Sequence, residues 1–353
     1  MEFLLQTISF VLSAYLSAVN GLAAQIEVLL PPTGALTNSN QTEMQLTQLR
    51  REQVIPDILI ENAAYQKAAV VESIDPDAAP ATALEALVNI YCTYRTDQYT
   101  KTTTGTGFFI DTDGIILTNA HVAQFLLLEG LMGDAECIIR SGDPATPMYE
   151  AELLYIPPAW IREHAKLIND KAPKGTGERD YALLYVNAAL ENRPMPASFA
   201  ALPFDTELLR TSILDTEVFA TGYPAQNAFI AQGSLELVPK QATTTIGELM
   251  TFGSNYVDIF TIRGTRIGEH GSSGGPVVDQ NGNAIGIIST RGDDATYGDG
   301  SLRALSLAYI DRTIKEETTL TLKQNLGGNL PYRAALFKET LVPFLQQILE
   351  EEL

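Results

Sequence analysis

The chain has 353 residues, 45% of them hydrophobic, and a formal net charge of −20 from 43 acidic and 23 basic residues. That length holds two modest domains or one larger one with an ample core. The acidic balance excludes the nucleic-acid backbone as a partner, because there is no basic stripe to release counterions.

Residues 3–24 carry no charge and are dominated by Leu4, Leu5, Ile8, Phe10, Val11, Leu12, Leu16, Val19 and Leu22. The stretch is long enough to span a bilayer, which takes roughly 20 apolar residues, and Gly21 and Ala23 give it the small-residue ending of a secretory signal. A cleaved signal and a retained anchor both stand. The competing reading is an amphipathic helix packed on the protein. Pro31-Pro32 ends this element, a polar linker follows to Gln41, and helical spacing with a turn-rich link carries the chain to Pro80, with no chemistry assigned to it.

From Val88 the pattern becomes short apolar runs separated by turn signals, as expected of an all-β barrel or sandwich. Asp111-Thr112-Asp113-Gly114 lacks the remaining ligands of a calcium loop, and Asp113-Gly114 between two apolar runs predicts a hairpin. Residues 137–140 and 149–156 supply further strands. Residues 157–174 place Trp160, Ile161, His164, Leu167 and Ile168 on one helical face. This insertion leads into Asp180, so it is expected near the substrate cleft, with His164 a surface residue.

The second half opens near Phe204, with strands expected over 243–247 and 257–263, a hairpin at Asn281-Gly282, and a strand over 284–289. Between them lies Gly271-Ser272-Ser273-Gly274-Gly275-Pro276. A serine hydroxyl needs an adjacent base and donors aimed at the charge developing on the attacked carbonyl. Glycines around Ser273 permit a partly left-handed turn whose Gly271 and Ser273 N–H groups converge as an anion-binding nest. The bland alternative is a Gly-rich hairpin. Residues 332–353, with Leu336, Leu341, Phe344, Leu345 and Ile348, read as a terminal helix kinked at Pro343.

Three stretches together carry a resemblance. Residues 104–110 and 114–122, ending in Leu117-Thr118-Asn119-Ala120-His121-Val122, resemble the strand–turn–strand that delivers the histidine of trypsin-like serine endopeptidases, most similar to the HtrA/Deg branch. Glu178-Arg179-Asp180-Tyr181-Ala182-Leu183-Leu184 resembles that family's aspartate at the head of a buried strand, and residues 271–276 resemble its nucleophile signature. The order His, Asp, Ser is the chymotrypsin order. The resemblance runs from about Leu87 to about Asp311.

It implies an all-β fold of two six-stranded antiparallel Greek-key barrels (chymotrypsin-like) with N-terminal and C-terminal helical extensions. The division expected is 1–24 signal peptide or membrane anchor, 25–84 linker and helical extension, 85–195 first barrel, 196–313 second barrel and 314–353 helical segment. It further implies a catalytic set of His121, Asp180 and Ser273, an oxyanion hole from the Gly271 and Ser273 N–H groups, and a serine endopeptidase acting on exported or misfolded polypeptides. The backbone of Ser289, Thr290 and Arg291 is expected to pair with an extended substrate, the Ser289 hydroxyl to support Asp180, and His270 to point to the cleft mouth. Ile267 falls where the base of the primary specificity pocket is counted, implying small or apolar side chains before the scissile bond. In this family the first and fourth strands of the first barrel are neighbours; Cys92 and Cys137 fall on them, which leaves a stapling disulfide or a pair of buried thiols.

Two departures from the family pattern stand out. Ser272 occupies the position where trypsin-type zymogens use an aspartate to bind a new amino terminus, and no matching cleavage site precedes the barrel. The segment after the second barrel is also shorter than the PDZ domain of many HtrA proteins. No cofactor or metal is implied: two cysteines and three histidines make no zinc site. The expected location is extracytoplasmic, whether periplasmic, cell-surface or secreted, with membrane attachment through residues 3–24 if that segment is retained. The alternatives are a latent or non-catalytic peptide-binding protein of the same fold and an esterase using the same triad.

Overall fold

The computed structural model describes residues 82–352, apart from 96–99, 130, 132–134, 169–174, 226–236, 269 and 293. The expected signal or anchor over 3–24 and the stretch 25–81 lie outside the described residues. Among the described residues no helix is long and apolar enough to cross a membrane.

Twelve strands close into two antiparallel barrels of six. The first uses β1 (Leu87–Arg95), β2 (Thr100–Phe109), β3 (Ile115–Thr118), β4 (Glu136–Ser141), β5 (Thr146–Tyr155) and β6 (Ala182–Ala189) in the order β1-β2-β3-β6-β5-β4. The second uses β7 (Glu217–Gly222), β8 (Lys240–Met250), β9 (Ile259–Ile262), β10 (Pro276–Val278), β11 (Ala284–Arg291) and β12 (Leu302–Ser306) in the order β10-β11-β12-β9-β8-β7. This is the chymotrypsin-like fold. Closure leaves neither sheet with a free edge along its length.

The strands form where apolar runs are bounded by turn residues. In β3 all four side chains are buried, so register is held on both faces and a one-residue slip gains nothing. The Asp113-Gly114 hairpin joins β2 to β3, with the Asp111 carboxylate accepting the Asp113 N–H at 2.8 Å. Asp279 does the same for Asn281 and Asn283, both at 2.9 Å, in the turn between β10 and β11. Cys92 and Cys137 are register partners across β1 and β4 and are joined as a disulfide.

Short helices decorate the barrels: α1 (Ala120–Ala123) after β3, α2 (Pro158–His164) after β5, and α3 (Asp294–Tyr297) after β11. The chain then leaves the second barrel as α4 (Leu307–Thr318), α5 (Leu322–Asn325), α6 (Leu330–Thr340) and α7 (Val342–Glu350). Three of these four starts carry a side-chain cap. Ser306 caps α4 by accepting the Tyr309 N–H, Thr321 and Gln324 form a reciprocal capping box on α5, and Asn329 caps α6.

One expectation about the helices is corrected. Residues 332–350 form two helices with a break at Leu341, because Pro343 lies in the first turn of α7, where its missing N–H costs nothing. The insertion helix α2 packs against α7. Its apolar face, Trp160 and Ile161, is covered by other apolar side chains of the first-barrel core.

The core divides unequally. One cluster fills the first barrel and continues without interruption into Leu307, Ile314, Phe337, Leu345 and Leu349 of the C-terminal helices. A second, smaller one fills the second barrel around Val218, Ile246, Phe260 and Ile288. The helices that leave the second barrel thus complete the core of the first.

Candidate active site

His121 is delivered by the end of β3. Asn119 stands at the N-cap of α1, but its side chain does not cap the helix; its amide donates to the Asp180 carbonyl at 2.7 Å. This ties the base-bearing turn to the acid-bearing turn through the main chain. The Asp180 carboxylate then accepts the His121 backbone N–H at 2.9 Å through one oxygen and lies 2.8 Å from His121 Nδ1 through the other. A carboxylate accepts only, so the proton is on Nδ1 and the Nε2 lone pair is free to face outward. The imidazole is about one-third exposed, whereas Asp180 is 3% exposed.

The second barrel completes the acid's surroundings. Ser289, near the end of β11, donates its hydroxyl to the same Asp180 oxygen at 2.7 Å. Burial pushes the Asp180 pKa up, but the facing imidazole and the hydrogen bonds from His121 and Ser289 outweigh it, leaving the carboxyl below its ordinary range. Burial likewise pushes the His121 pKa down, and the charge and hydrogen bond of Asp180 outweigh that, so the imidazole titrates above its ordinary 6.5.

Ser273 lies half-buried in a turn with left-handed backbone on both sides, φ +98° at Gly271 and +88° at Gly274. At Gly274 a Cβ would also lie 2.0 Å from the Thr106 carbonyl oxygen, so only glycine fits. Thr106, on β2, grips this turn from the other barrel. Its N–H donates to the Ser273 carbonyl at 2.8 Å, its hydroxyl donates to the Gly271 carbonyl at 2.5 Å, and that hydroxyl accepts the Tyr223 N–H at 2.9 Å. The Gly271 N–H is trans to the His270 carbonyl, which accepts the Ala225 N–H at 2.7 Å, and the Ser273 N–H is trans to the Ser272 carbonyl, which accepts the Gly275 N–H at 3.0 Å. Among the described residues neither N–H donates to a protein acceptor.

The Ser273 hydroxyl bonds to the Ser289 carbonyl at 3.4 Å. Ser289 therefore touches Ser273 through its carbonyl and Asp180 through its hydroxyl. No hydrogen bond joins His121 to Ser273 among the described residues. The arrangement offers a hydroxyl, an imidazole in a fixed tautomer, a buried carboxylate and two backbone N–H groups without a protein acceptor among the described residues, groups of the kind acyl transfer uses.

The model of the trypsin-like peptidase domain matches residues 105–287, just over half of the chain. The chain belongs to the trypsin-like peptidase family. In structure this trypsin-like peptidase is similar to the Rv3671c protease of M. tuberculosis in its active form, at 20% identity over 74% of this chain and 99% of that one, with a TM-score of 0.41. It is likewise similar to the inactive form of a serine-to-alanine mutant of that protease, at 21% identity over 71% and 97%, with a TM-score of 0.39. No curated protein matches the sequence.

Within this peptidase the expected site residues divide. His121, Asp180, Ser273, Gly271 and Ser289 come together. Thr290 and Arg291 continue β11 beyond the stretch paired with β10, and the Arg291 side chain is turned to Asp294 at 2.9 Å. Ile267 is fully buried and packs into the second-barrel core, presenting no surface to the cleft. His270 is exposed and His164 stacks on Trp160 with ring centroids 4.8 Å apart. Ser272 is fully buried, and its hydroxyl has no hydrogen-bond partner among the described residues. Thr106 was visible only as one letter of a Gly-Thr-Gly stretch. Its bonds reach 165 positions along the chain, beyond any local pattern.

Proposed function

We propose that this trypsin-like serine peptidase is an endopeptidase that cleaves polypeptides through an acyl-enzyme on Ser273. His121 takes the Ser273 proton as the oxygen attacks the peptide carbonyl and returns it to the departing amine. Asp180 holds the imidazole in its working tautomer and stabilises the cation that forms. The Gly271 and Ser273 N–H groups receive the charge of the tetrahedral oxyanion. Water then attacks the acyl carbon with His121 again as base, which frees the acid product and restores Ser273.

The observation that carries this reading is the unbroken run of contacts from Ser273 through Ser289 to Asp180 and His121, spanning both barrels. Hydrogen bonds of a resting site are commonly loose and tighten with substrate. A rotation of the Ser273 hydroxyl away from the Ser289 carbonyl brings it to His121. That same Ser273–Ser289 bond is what favours the second reading, a latent peptide-binding protein in which the rotation never occurs.

The substrate side is part of the proposal. An extended peptide adds a strand along residues 289–291 of β11. Side chains before the scissile bond are small or apolar, as the family resemblance implies for a chain without an acid at 267; the buried Ile267 does not itself line the cleft. The substrates are exported or misfolded polypeptides met outside the cytoplasm, in the manner of HtrA-type enzymes. Support comes from the Cys92–Cys137 disulfide, a bond characteristic of oxidising compartments, and from the uncharged stretch 3–24. Digestion of casein and of a mixed peptide library by the purified protein and by Ser273→Ala is the test. Cleavage by the first alone, after small or apolar residues, supports it; cleavage of esters but no peptide, or equal activity of both proteins, rejects it.

A further inference from the structure

Arg179, the residue before Asp180, has φ +55°. A side chain other than glycine is disfavoured in this left-handed region and persists where the surroundings over-determine it. Here the surroundings are α4, the first helix after the second barrel. The Tyr309 hydroxyl accepts the Arg179 N–H at 3.1 Å. The Arg179 Nε lies 2.9 Å from Glu317 Oε1, within ion-pair distance although off the hydrogen-bond direction. On the far side of Asp180, the Tyr181 hydroxyl accepts from Thr313 Oγ1 at 3.0 Å. Both neighbours of the acid are therefore fastened to one helix.

Glu317 is the unexpected member of this group. It is 3% exposed, and its second oxygen accepts the hydroxyl of Tyr155 on β5. A buried carboxylate is a poor way to gain stability, since an apolar residue of similar size usually packs as well or better. Its retention makes sense where the charge is needed to hold something, and the cation it faces belongs to the strained residue beside Asp180. Tyr155 and Tyr181 stack with centroids 6.2 Å apart and wall the pair from water on the barrel side.

We infer that Glu317 is a positioning residue for the catalytic acid: it holds Arg179 in its left-handed conformation and so aims the Asp180 carboxylate at His121. This rests on the triad reading given above. The role acts through the backbone, because Glu317 touches neither His121 nor Ser273. It makes the C-terminal helix, and not the barrels alone, part of what sets the acid–base geometry.

The test follows the His121 imidazole by NMR titration, which reads the Asp180–His121 pairing whether or not the protein turns over substrate. The chain has three histidines, so the signal is assigned by its loss in His121→Ala. In Glu317→Gln the His121 pKa is expected to fall toward 6.5. In Glu317→Gln/Arg179→Asn it is expected to rise again, because asparagine tolerates left-handed φ without a clamp. Steady-state rates should follow, with kcat down about tenfold in the single variant, KM within about twofold, and kcat largely recovered in the double, as misalignment without lost binding requires. Tyr309→Phe, which removes only the acceptor for the Arg179 N–H, covers the case in which Glu317→Gln does not fold, and should shift the imidazole the same way by a smaller amount. An unmoved His121 pKa in folded Glu317→Gln, or in Tyr309→Phe if that is the variant that folds, overturns the inference, as does a double variant no better than the single. If the wild-type protein titrates as expected but cleaves nothing, the peptidase reading fails and the positioning role stands.

Discussion

Ser289 contacts two members of the site at once: its hydroxyl donates to Asp180 at 2.7 Å, and its carbonyl accepts the Ser273 hydroxyl at 3.4 Å. The first barrel carries His121 and Asp180, the second carries Ser273, and one residue of β11 touches both sides of the gap between them. Barrel-to-barrel registration is thereby coupled to the geometry of the chemistry.

The electrostatics of the pair predict a pH profile. His121 must be neutral to accept a proton, so kcat/KM should fall as pH drops through a midpoint above the ordinary 6.5. In folding, a raised histidine pKa gives stability that is fully present below 6.5 and lost as pH rises through the folded value, while the depressed Asp180 pKa gives stability present above 3.8 and lost as pH falls through its folded value. Asp180→Asn should lower kcat by about four orders of magnitude. Ser289→Ala, which removes one of the hydrogen bonds to the acid, should lower it by only about threefold to tenfold and move the acid limb toward 6.5. A pH–rate series on the three proteins checks both, and an acid limb already below 6.5 in the wild type would contradict the assignment.

Thr106→Val should cripple the oxyanion site without touching the triad. Loss of the hydroxyl leaves the Gly271 carbonyl and the Tyr223 N–H without their partner, at a cost of about 1–3 kcal/mol in stability for a buried group. The turn that carries Gly271 and Ser273 then loses one of its ties to β2, and kcat should fall about tenfold, short of the roughly 10²–10³ that a direct oxyanion donor is worth. Thr106→Ser keeps the hydroxyl and should retain most of the rate. Equal kcat for the valine and serine variants would remove Thr106 from the account.

Glu129 shifts in the direction opposite to Asp180. It follows the turn after α1, accepts the Cys137 N–H at 2.7 Å, and borders a cavity of about 290 Å³ with Leu126, Leu153, Lys338 and Val342. Burial pushes its pKa up to about 7, against the pull of the Cys137 N–H and Lys338 and with the help of Glu136 and Glu150. Between 4.5 and 7 the folded state holds a proton that the unfolded state has released, so stability falls as pH rises across that window. Glu129→Gln should therefore melt higher than wild type at pH 8, by roughly 2 °C for a gain of about 1 kcal/mol, with the gap closing toward pH 4. Differential scanning calorimetry at the two pH values decides it.

The Cys92–Cys137 bridge spans 45 positions and ties the strands that close the first barrel. Chain entropy sets its contribution at about 4 kcal/mol, and strain or residual structure commonly reduces that to about 2. Cys92→Ala/Cys137→Ala should lose stability in that range in urea unfolding while keeping a measurable kcat, because neither cysteine touches the triad. A double variant as stable as wild type would show the barrel closing without help.

How much of this the sequence carries depends on how local each signal is. His121, Asp180 and Ser273 each stand in a short pattern with its own strand or turn context, and the Asp113-Gly114 and Asn281-Gly282 hairpins announce themselves through turn chemistry. Thr106 and Glu317 carry no local mark, because each does its work across a fold contact whose partner lies more than a hundred residues away. Ile267 illustrates a limit of counting: a position set by spacing from the nucleophile lands in the barrel core, since the spacing does not say which way the side chain turns. Pro343 announces a disruption, but whether a proline kinks one helix or starts another depends on where it falls in the turn, and here it stands in the first turn of α7.

The central claim is that Ser273 is made nucleophilic by His121, and mass spectrometry of the protein after treatment with a fluorophosphonate tests it most directly. A single adduct on the peptide containing Ser273, absent from both Ser273→Ala and His121→Ala, is the result expected. Adduct formation that persists at full rate in His121→Ala, or none on Ser273 in the folded wild-type protein, would contradict it.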